Sequence, residues 1–192
     1  MKNSVHNTLS DIDIINKIRS NDPDSSVYFE ILYKRYFNKV LDKCYSFVKD
    51  RNLAEELTAE IFSTVFEKLS SFKQLSSFSS WIYAITYNHC IDYLREKKKL
   101  HYPDWNRENE IPEIIDETEE TMDEIDYDKV MAILELIHPE EKAMILMKYK
   151  DELPMKQIGT ALRISEDAAK MRLKRARTRV LYLYTKKYLH HN

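Results

Sequence analysis

Between Lys170 and Lys187 the chain carries eight basic residues and no acidic one. The chemistry open to such a run is the pairing of guanidinium and ammonium groups with phosphates and with the acceptor edges of bases. The residues before it, from Ile158 to Ser165, read as a short helix and a tight turn, so the basic run becomes the second helix of a helix-turn-helix DNA reader. Ser165 is placed to cap that helix, with Glu166 and Asp167 in the first turn, where the helix dipole favours negative charge. At about 100° per residue, Ala169, Leu173, Ala176 and Val180 fall on one apolar stripe. The opposite face holds Asp167, Ala168, Met171, Lys174, Arg175 and Thr178, flanked by Lys170, Arg172, Arg177 and Arg179. The N-terminal half of such a helix approaches base edges, which names Asp167, Ala168, Lys170, Met171 and Arg172; Arg175, Arg177 and Arg179 reach phosphates, and Lys174 shares their face. An amphipathic helix pair with a solvated basic face is the plain alternative, and the one-sided charge favours DNA.

Gly159 is the only glycine in the chain, and a glycine inside a helix costs about 1 kcal/mol relative to alanine. A close approach of the two helices of the motif, admitting only a very small residue, explains its presence. No other pattern suggests reactive chemistry. Asp and Glu are abundant, but none joins His or Cys at metal-ligand spacing, and there is no glycine-rich phosphate loop. The expectation is therefore no metal, no cofactor and no catalysis. Cys44 and Cys90 lack partner spacing and read as buried free thiols. No apolar run approaches the roughly 18 to 20 residues of a membrane span, and Met1 to Ser10 has no signal-peptide core, so a cytoplasmic location is expected.

The elements that must position these residues are helices. One glycine and five prolines in 192 residues, with many Leu, Ile, Lys and Glu, predict an all-α protein. Ser10 caps a short helix that ends in the turn Asn21-Asp22-Pro23-Asp24; a second helix runs from about Ser26 to Val48. After Lys49-Asp50-Arg51 a third places Leu53, Leu57, Ile61, Val65 and Leu69 on one face, with Phe62 and Phe66 beside them. Residues 70–80 form a Ser/Phe/Lys loop, and Trp81 opens a fourth helix that ends in Arg95-Glu-Lys-Lys-Lys99. A helix from Asp126 to near Ile137 follows, then Pro139 at the first turn of the next, then the helix-turn-helix.

Charge is segregated along this plan. Residues 104–128 contain twelve acidic residues and one basic, Arg107; removing them from the totals of 32 and 30 leaves 20 and 29, so the rest of the chain stands at +9 although the whole is at −2. The stretch 100–125 reads as a flexible acidic linker. Two small helical domains result, residues 10–99 and 126–187.

These residues resemble the extracytoplasmic-function (ECF) sigma factors, two-domain members of the sigma-70 family of bacterial transcription initiators. The first part of the resemblance is Phe29-Glu-Ile-Leu-Tyr33, Ala54-Glu-Glu-Leu-Thr58, Glu60, Phe62, Phe78-Ser-Ser-Trp-Ile-Tyr83, Asn88, Asp92 and Arg95. The second is Leu134-Glu-Leu-Ile-His-Pro139, Leu153, Ile158, Ile164, Ser165, Lys170, Arg172, Leu173, Arg175 and Ala176. The resemblance implies a sigma region 2 helical bundle and a sigma region 4 helix-turn-helix. It implies docking of Glu55, Glu56, Thr58, Glu60 and Phe62 on the beta-prime clamp helices of core RNA polymerase, with region 4 on the beta flap. It assigns Lys73, Gln74, Asn88, Arg95 and Lys98 to the melted minus-10 element, and the basic helix to the minus-35 element of promoter DNA. It also implies an anti-sigma factor as partner. Where the family commonly has threonine and serine in the basic helix, this chain has Ala168 and Met171, both suited to thymine methyl groups. A helix-turn-helix repressor or activator working without polymerase remains the second reading at this point.

Overall fold

The computed structural model of the protein describes residues 9–20, 22–97 and 126–189. The residues 98–125, and with them the expected acidic linker and Lys98, lie outside the described residues. Among the described residues every regular element is helical. The chain divides into two compact units, Met1–Tyr93 and Leu94–Asn192.

In the first unit α1 spans Asp11–Arg19, α2 Ser25–Val48, α3 Arg51–Lys68 and α4 Phe78–Lys97, whose last turn passes the division. Each start has a local cause. Ser10 and Asp13 close a reciprocal capping box on α1. Asp50 accepts from the Leu53 N–H at 3.0 Å and caps α3. The fourth helix begins at Phe78, three residues before the expected Trp81, because the Ser77 hydroxyl accepts from the Ser80 N–H at 3.1 Å and acts as its cap. Ile14 and Ile15 of α1, Val40 and Cys44 of α2, Ala54, Ile61 and Val65 of α3, and Ile82 and Cys90 of α4 have no solvent exposure. The two thiols, 46 residues apart in sequence, meet in this core with Sγ atoms 3.8 Å apart.

In the second unit α5 spans Tyr127–Leu134, α6 Pro139–Ile145, α7 Met155–Leu162 and α8 Glu166–Tyr184; α6 widens into a π turn over Leu146–Lys150. Asp126 caps the start of α5, which ends at Leu134 rather than near Ile137, and Pro139 occupies the first position of α6 as expected. The long α8 packs on α5, α6 and α7 through Ala169, Leu173 and Ala176. Gly159 of α7 is required by backbone. A Cβ there would lie 2.9 Å from the Ile164 carbonyl oxygen and 3.4 Å from the Glu166 nitrogen. The close approach is thus to the turn between α7 and α8, whose Ile164 N–H donates to the Gly159 carbonyl at 2.9 Å.

Candidate nucleic-acid interface

The outward face of α8 is set by its cap and its apolar stripe. Ser165 accepts from the Ala168 N–H at 3.1 Å. Burial of Ala169, Leu173 and Ala176 then turns Asp167, Lys170, Met171, Lys174 and Arg175 to solvent, with Ala168 and Arg177 half-buried beside them. Lys170 lies between Glu166 Oε1 at 3.0 Å and Asp167 Oδ1 at 3.4 Å, and the hydrogen bond to Glu166 raises the ammonium above its ordinary value. Its charge is therefore shared with two carboxylates at the helix start.

Arg172 and Arg179 depart from the expected outward placement. Arg172 Nη1 reaches Glu140 Oε2 at 3.2 Å, and Arg179 Nε lies 3.7 Å from Glu141 Oε1. Both carboxylates are buried in the first turn of α6. Burial pushes the Glu141 carboxyl up, against the opposing pull of Arg179. Glu140 also accepts from Arg95, at 2.9 Å from Nε and 2.6 Å from Nη2. A buried carboxylate needs such partners to remain charged, and this requirement turns Arg172 and Arg179 to the flank of the helix rather than to its front.

The other candidate DNA-contacting residues fall in the loop before α4 and along that helix. Lys73, Gln74 and Leu75 are exposed at the loop tip. The loop is anchored by Phe72, whose ring lies 5.1 Å from Trp81 and 5.9 Å from Phe78. Trp81 thus serves the aromatic anchor as much as any surface. Asn88 is half-buried on α4, with Nδ2 donating to Asp92 Oδ2 at 3.2 Å. A feature with no local sequence signal is Lys43 of α2, whose Nζ sits 4.2 Å from the Tyr83 ring centroid and 5.1 Å from that of Tyr87 on α4.

On α3 the expected docking set separates. Glu55, Glu56 and Glu60 are exposed, with Glu55 held by Arg51 at 2.9 Å and Glu60 by His89 at 2.8 Å. Thr58 and Phe62 are not on the surface. The buried stripe of α3 runs through Ala54, Leu57, Thr58, Ile61, Phe62 and Val65, and helical spacing carries both residues inward, where Thr58 Oγ1 donates to the Ala54 carbonyl at 2.7 Å. Phe66, expected beside the core residues, is 58% exposed and stands edge-on to Phe29 with centroids 4.9 Å apart.

Comparison with known proteins accords with this geometry. Residues 32–100 match Sigma-70 region 2, and residues 127–180 match Sigma-70, region 4. The ECF RNA polymerase sigma factor SigW of Bacillus subtilis is 27% identical over 179 residues, covering 85% of this chain and 90% of that protein. SigX of the same organism is 22% identical over 147 residues, covering 74% and 76%. A probable RNA polymerase sigma factor of Haemophilus influenzae is 45% identical over a shorter stretch of 53 residues, 28% of this chain and 27% of that one. In fold, the chain is similar to CnrH in its complex with the cytosolic domain of CnrY, with a TM-score of 0.60 at 15% identity, covering 92% of this chain and 98% of that one. With regions 2 and 4 in order and near-full-length likeness to SigW, the chain belongs to the ECF group of the sigma-70 family, the alternative sigma factors that direct transcription initiation by RNA polymerase.

Proposed function

We propose that residues 10–99 act as the minus-10 and polymerase-docking domain and residues 126–187 as the minus-35 domain. The observation that carries the proposal is the front of α8, where Lys174 and Arg175 are exposed beside Met171 and Ala168 while the buried stripe holds the helix in place. In the major groove, Ala168 and Met171 contact base edges and methyl groups, and Lys174, Arg175 and Arg177 contact phosphates. Asp167 and Lys170, one an acceptor and one a donor, stand at the end of the helix that enters the groove. Arg172 and Arg179 support α8 from the side through Glu140 and Glu141. Lys73 and Gln74 touch the melted strand from the exposed loop, and Asn88 extends that surface along α4; Arg95, bound to Glu140, and Lys98 are assigned to the same strand by the family resemblance alone.

Core RNA polymerase is docked through Glu55, Glu56 and Glu60 on the beta-prime clamp helices, with exposed Phe66 adding apolar area, and through the second unit on the beta flap. An anti-sigma factor is a natural regulator: the sigma factor RpoE of Bartonella quintana, similar in fold at a TM-score of 0.55 and 14% identity, is solved in complex with the anti-sigma factor NepR. The chain itself catalyses no reaction and works in the cytoplasm. Among the described residues no helix is long and apolar enough to cross a membrane.

The test is run-off transcription on genomic DNA of the source organism with core polymerase and this protein. Discrete transcripts that require the protein and fade in the Lys174→Ala, Arg175→Ala double variant are expected. Tight duplex binding with neither polymerase association nor transcripts would instead favour a repressor.

A further inference from the structure

Helix α1 lies outside the residues that match region 2, which begin at 32, yet it holds the loop proposed above to read the melted strand. Arg19, in its last turn, donates to three carbonyls where α3 gives way to the loop. Nε and Nη2 reach the Leu69 oxygen at 3.2 and 2.8 Å, Nη2 reaches the Ser70 oxygen at 3.2 Å, and Nη2 also donates to the Phe72 oxygen. Asn16, one turn earlier on the same face, accepts from Gln74 Nε2 at 3.0 Å. Gln74 is itself in the left-handed region at φ 55°, a conformation that a non-glycine residue keeps only when its surroundings hold it.

The helix is suited to be the fixed side of this arrangement. Its N-terminus carries the capping box, Ile14 and Ile15 are fully buried, and Asp11 accepts from both Arg35 and Tyr36 of α2. A planar guanidinium can satisfy several carbonyls at once in one orientation, which a lysine ammonium on a flexible stem does less well. The loop is also anchored by the packed rings of Phe72, Phe78 and Trp81. Held by both sets of contacts, the loop leaves Lys73, Gln74 and Leu75 exposed.

We propose that Arg19 and Asn16 of α1 are positioning residues for minus-10 recognition. They pre-shape the 72–77 loop so that Lys73 and Gln74 meet the melted strand without first being ordered. This inference rests on the reading of the loop as a DNA contact, which the experiment tests separately.

The experiment uses holoenzyme assembled from core polymerase and full-length protein, on a promoter fragment that the wild type transcribes, together with single-base variants across its melted region. Arg19→Ala, Arg19→Lys and Asn16→Ala are compared with Lys73→Ala as the direct-contact reference. Four quantities are read: affinity for core polymerase, thermal midpoint, permanganate reactivity of promoter thymines, and discrimination among bases in the melted strand. Arg19→Ala is expected to lower open-complex formation about tenfold and to flatten base discrimination at one melted position at least threefold, with core affinity within about twofold of wild type. Arg19→Lys should fall between, and Asn16→Ala, an exposed change that removes one side-chain hydrogen bond, should lose about threefold in opening. If Arg19→Ala fails to fold, Asn16→Ala decides the matter. Opening and base discrimination at wild-type level in Asn16→Ala, with any Arg19→Ala defect matched by lost core binding or lost stability, would make α1 a plain brace and overturn the proposal. A wild-type protein that yields no promoter-specific transcript removes the functional reading itself, and this inference with it; wild-type opening that Lys73→Ala leaves unchanged removes the loop contact on which the inference stands.

Discussion

At the scale of single residues, Gly159 shows how one backbone contact decides an identity. Alanine is the better helix former by about 1 kcal/mol, yet its Cβ at 159 would press on the Ile164 carbonyl oxygen at 2.9 Å and meet the Glu166 nitrogen at 3.4 Å. Neither atom belongs to a side chain that can rotate away. Relief would come from displacing the turn, and with it the 2.9 Å hydrogen bond from the Ile164 N–H to the Gly159 carbonyl, worth about 1 kcal/mol. Overpacking of this kind costs about 1–3 kcal/mol. Gly159→Ala is therefore expected to destabilise the second unit by about 1–2 kcal/mol net, seen as a thermal midpoint lowered by about 5–10 °C in circular dichroism. A midpoint at or above that of the wild type would show that the turn can yield. The same scale explains Thr58 and Phe62. The family resemblance put both on the docking surface, but positions 54, 57, 58, 61, 62 and 65 form one helical stripe, and the stripe is the core.

At the scale of elements, α8 divides its cations by what lies behind them. Lys174 and Arg175 face solvent, whereas Arg172 reaches over the flank to Glu140, a carboxylate 1% exposed. Removing a front cation should cost DNA contacts and little stability; removing Arg172 should do the reverse. Each phosphate contact contributes about 0.9 to the slope of log affinity against log salt. Lys174→Ala and Arg175→Ala are each expected to shallow that slope by about 0.9 in anisotropy titrations on duplex DNA, and Lys174→Ala to leave the thermal midpoint unchanged. Arg172→Ala leaves the slope in place and destabilises the second unit by about 2 kcal/mol, since a buried charge loses one of its donors. A slope change of the same size for Arg172→Ala, with no loss of stability, would return that residue to the DNA face. Much of this element was legible beforehand. Ser10, Pro139 and Ser165 act on backbone groups a few residues away, so a reading along the chain finds them; Asp50 and Asp126 cap just as locally, but their side-chain bonds are seen only in the fold. The pairs Arg172 with Glu140, Arg19 with Leu69 and Cys44 with Cys90 join residues 32, 50 and 46 positions apart. No local pattern encodes such distances; they follow from packing. The early start of α4 was missed for another reason: three nearby serines read as loop composition, and only geometry shows Ser77 to be the cap.

At the scale of the whole chain, the segregation of charge sets how the protein treats DNA that is not its promoter. Residues 104–124 hold ten acidic residues and one basic, tethered to a remainder that is strongly positive. A polyanion joined covalently to a cationic helix competes with phosphates for its cations to the extent set by its effective concentration. That competition weakens sequence-independent binding more than promoter binding, because non-specific association is almost wholly electrostatic. Converting the ten carboxylates to Asn and Gln moves the formal net charge from −2 to +8. Affinity for random duplex is then expected to rise about tenfold at 50 mM salt, and the difference should shrink to within about twofold at 300 mM, as the screening length falls from about 14 Å to about 6 Å. Anisotropy titrations of the two proteins at both salts check this. Equal affinities at low salt would mean that the acidic residues do not reach the DNA-binding face, and their function would then lie wholly inside the polymerase complex. A gain that persists at high salt would point to altered structure rather than to relieved competition.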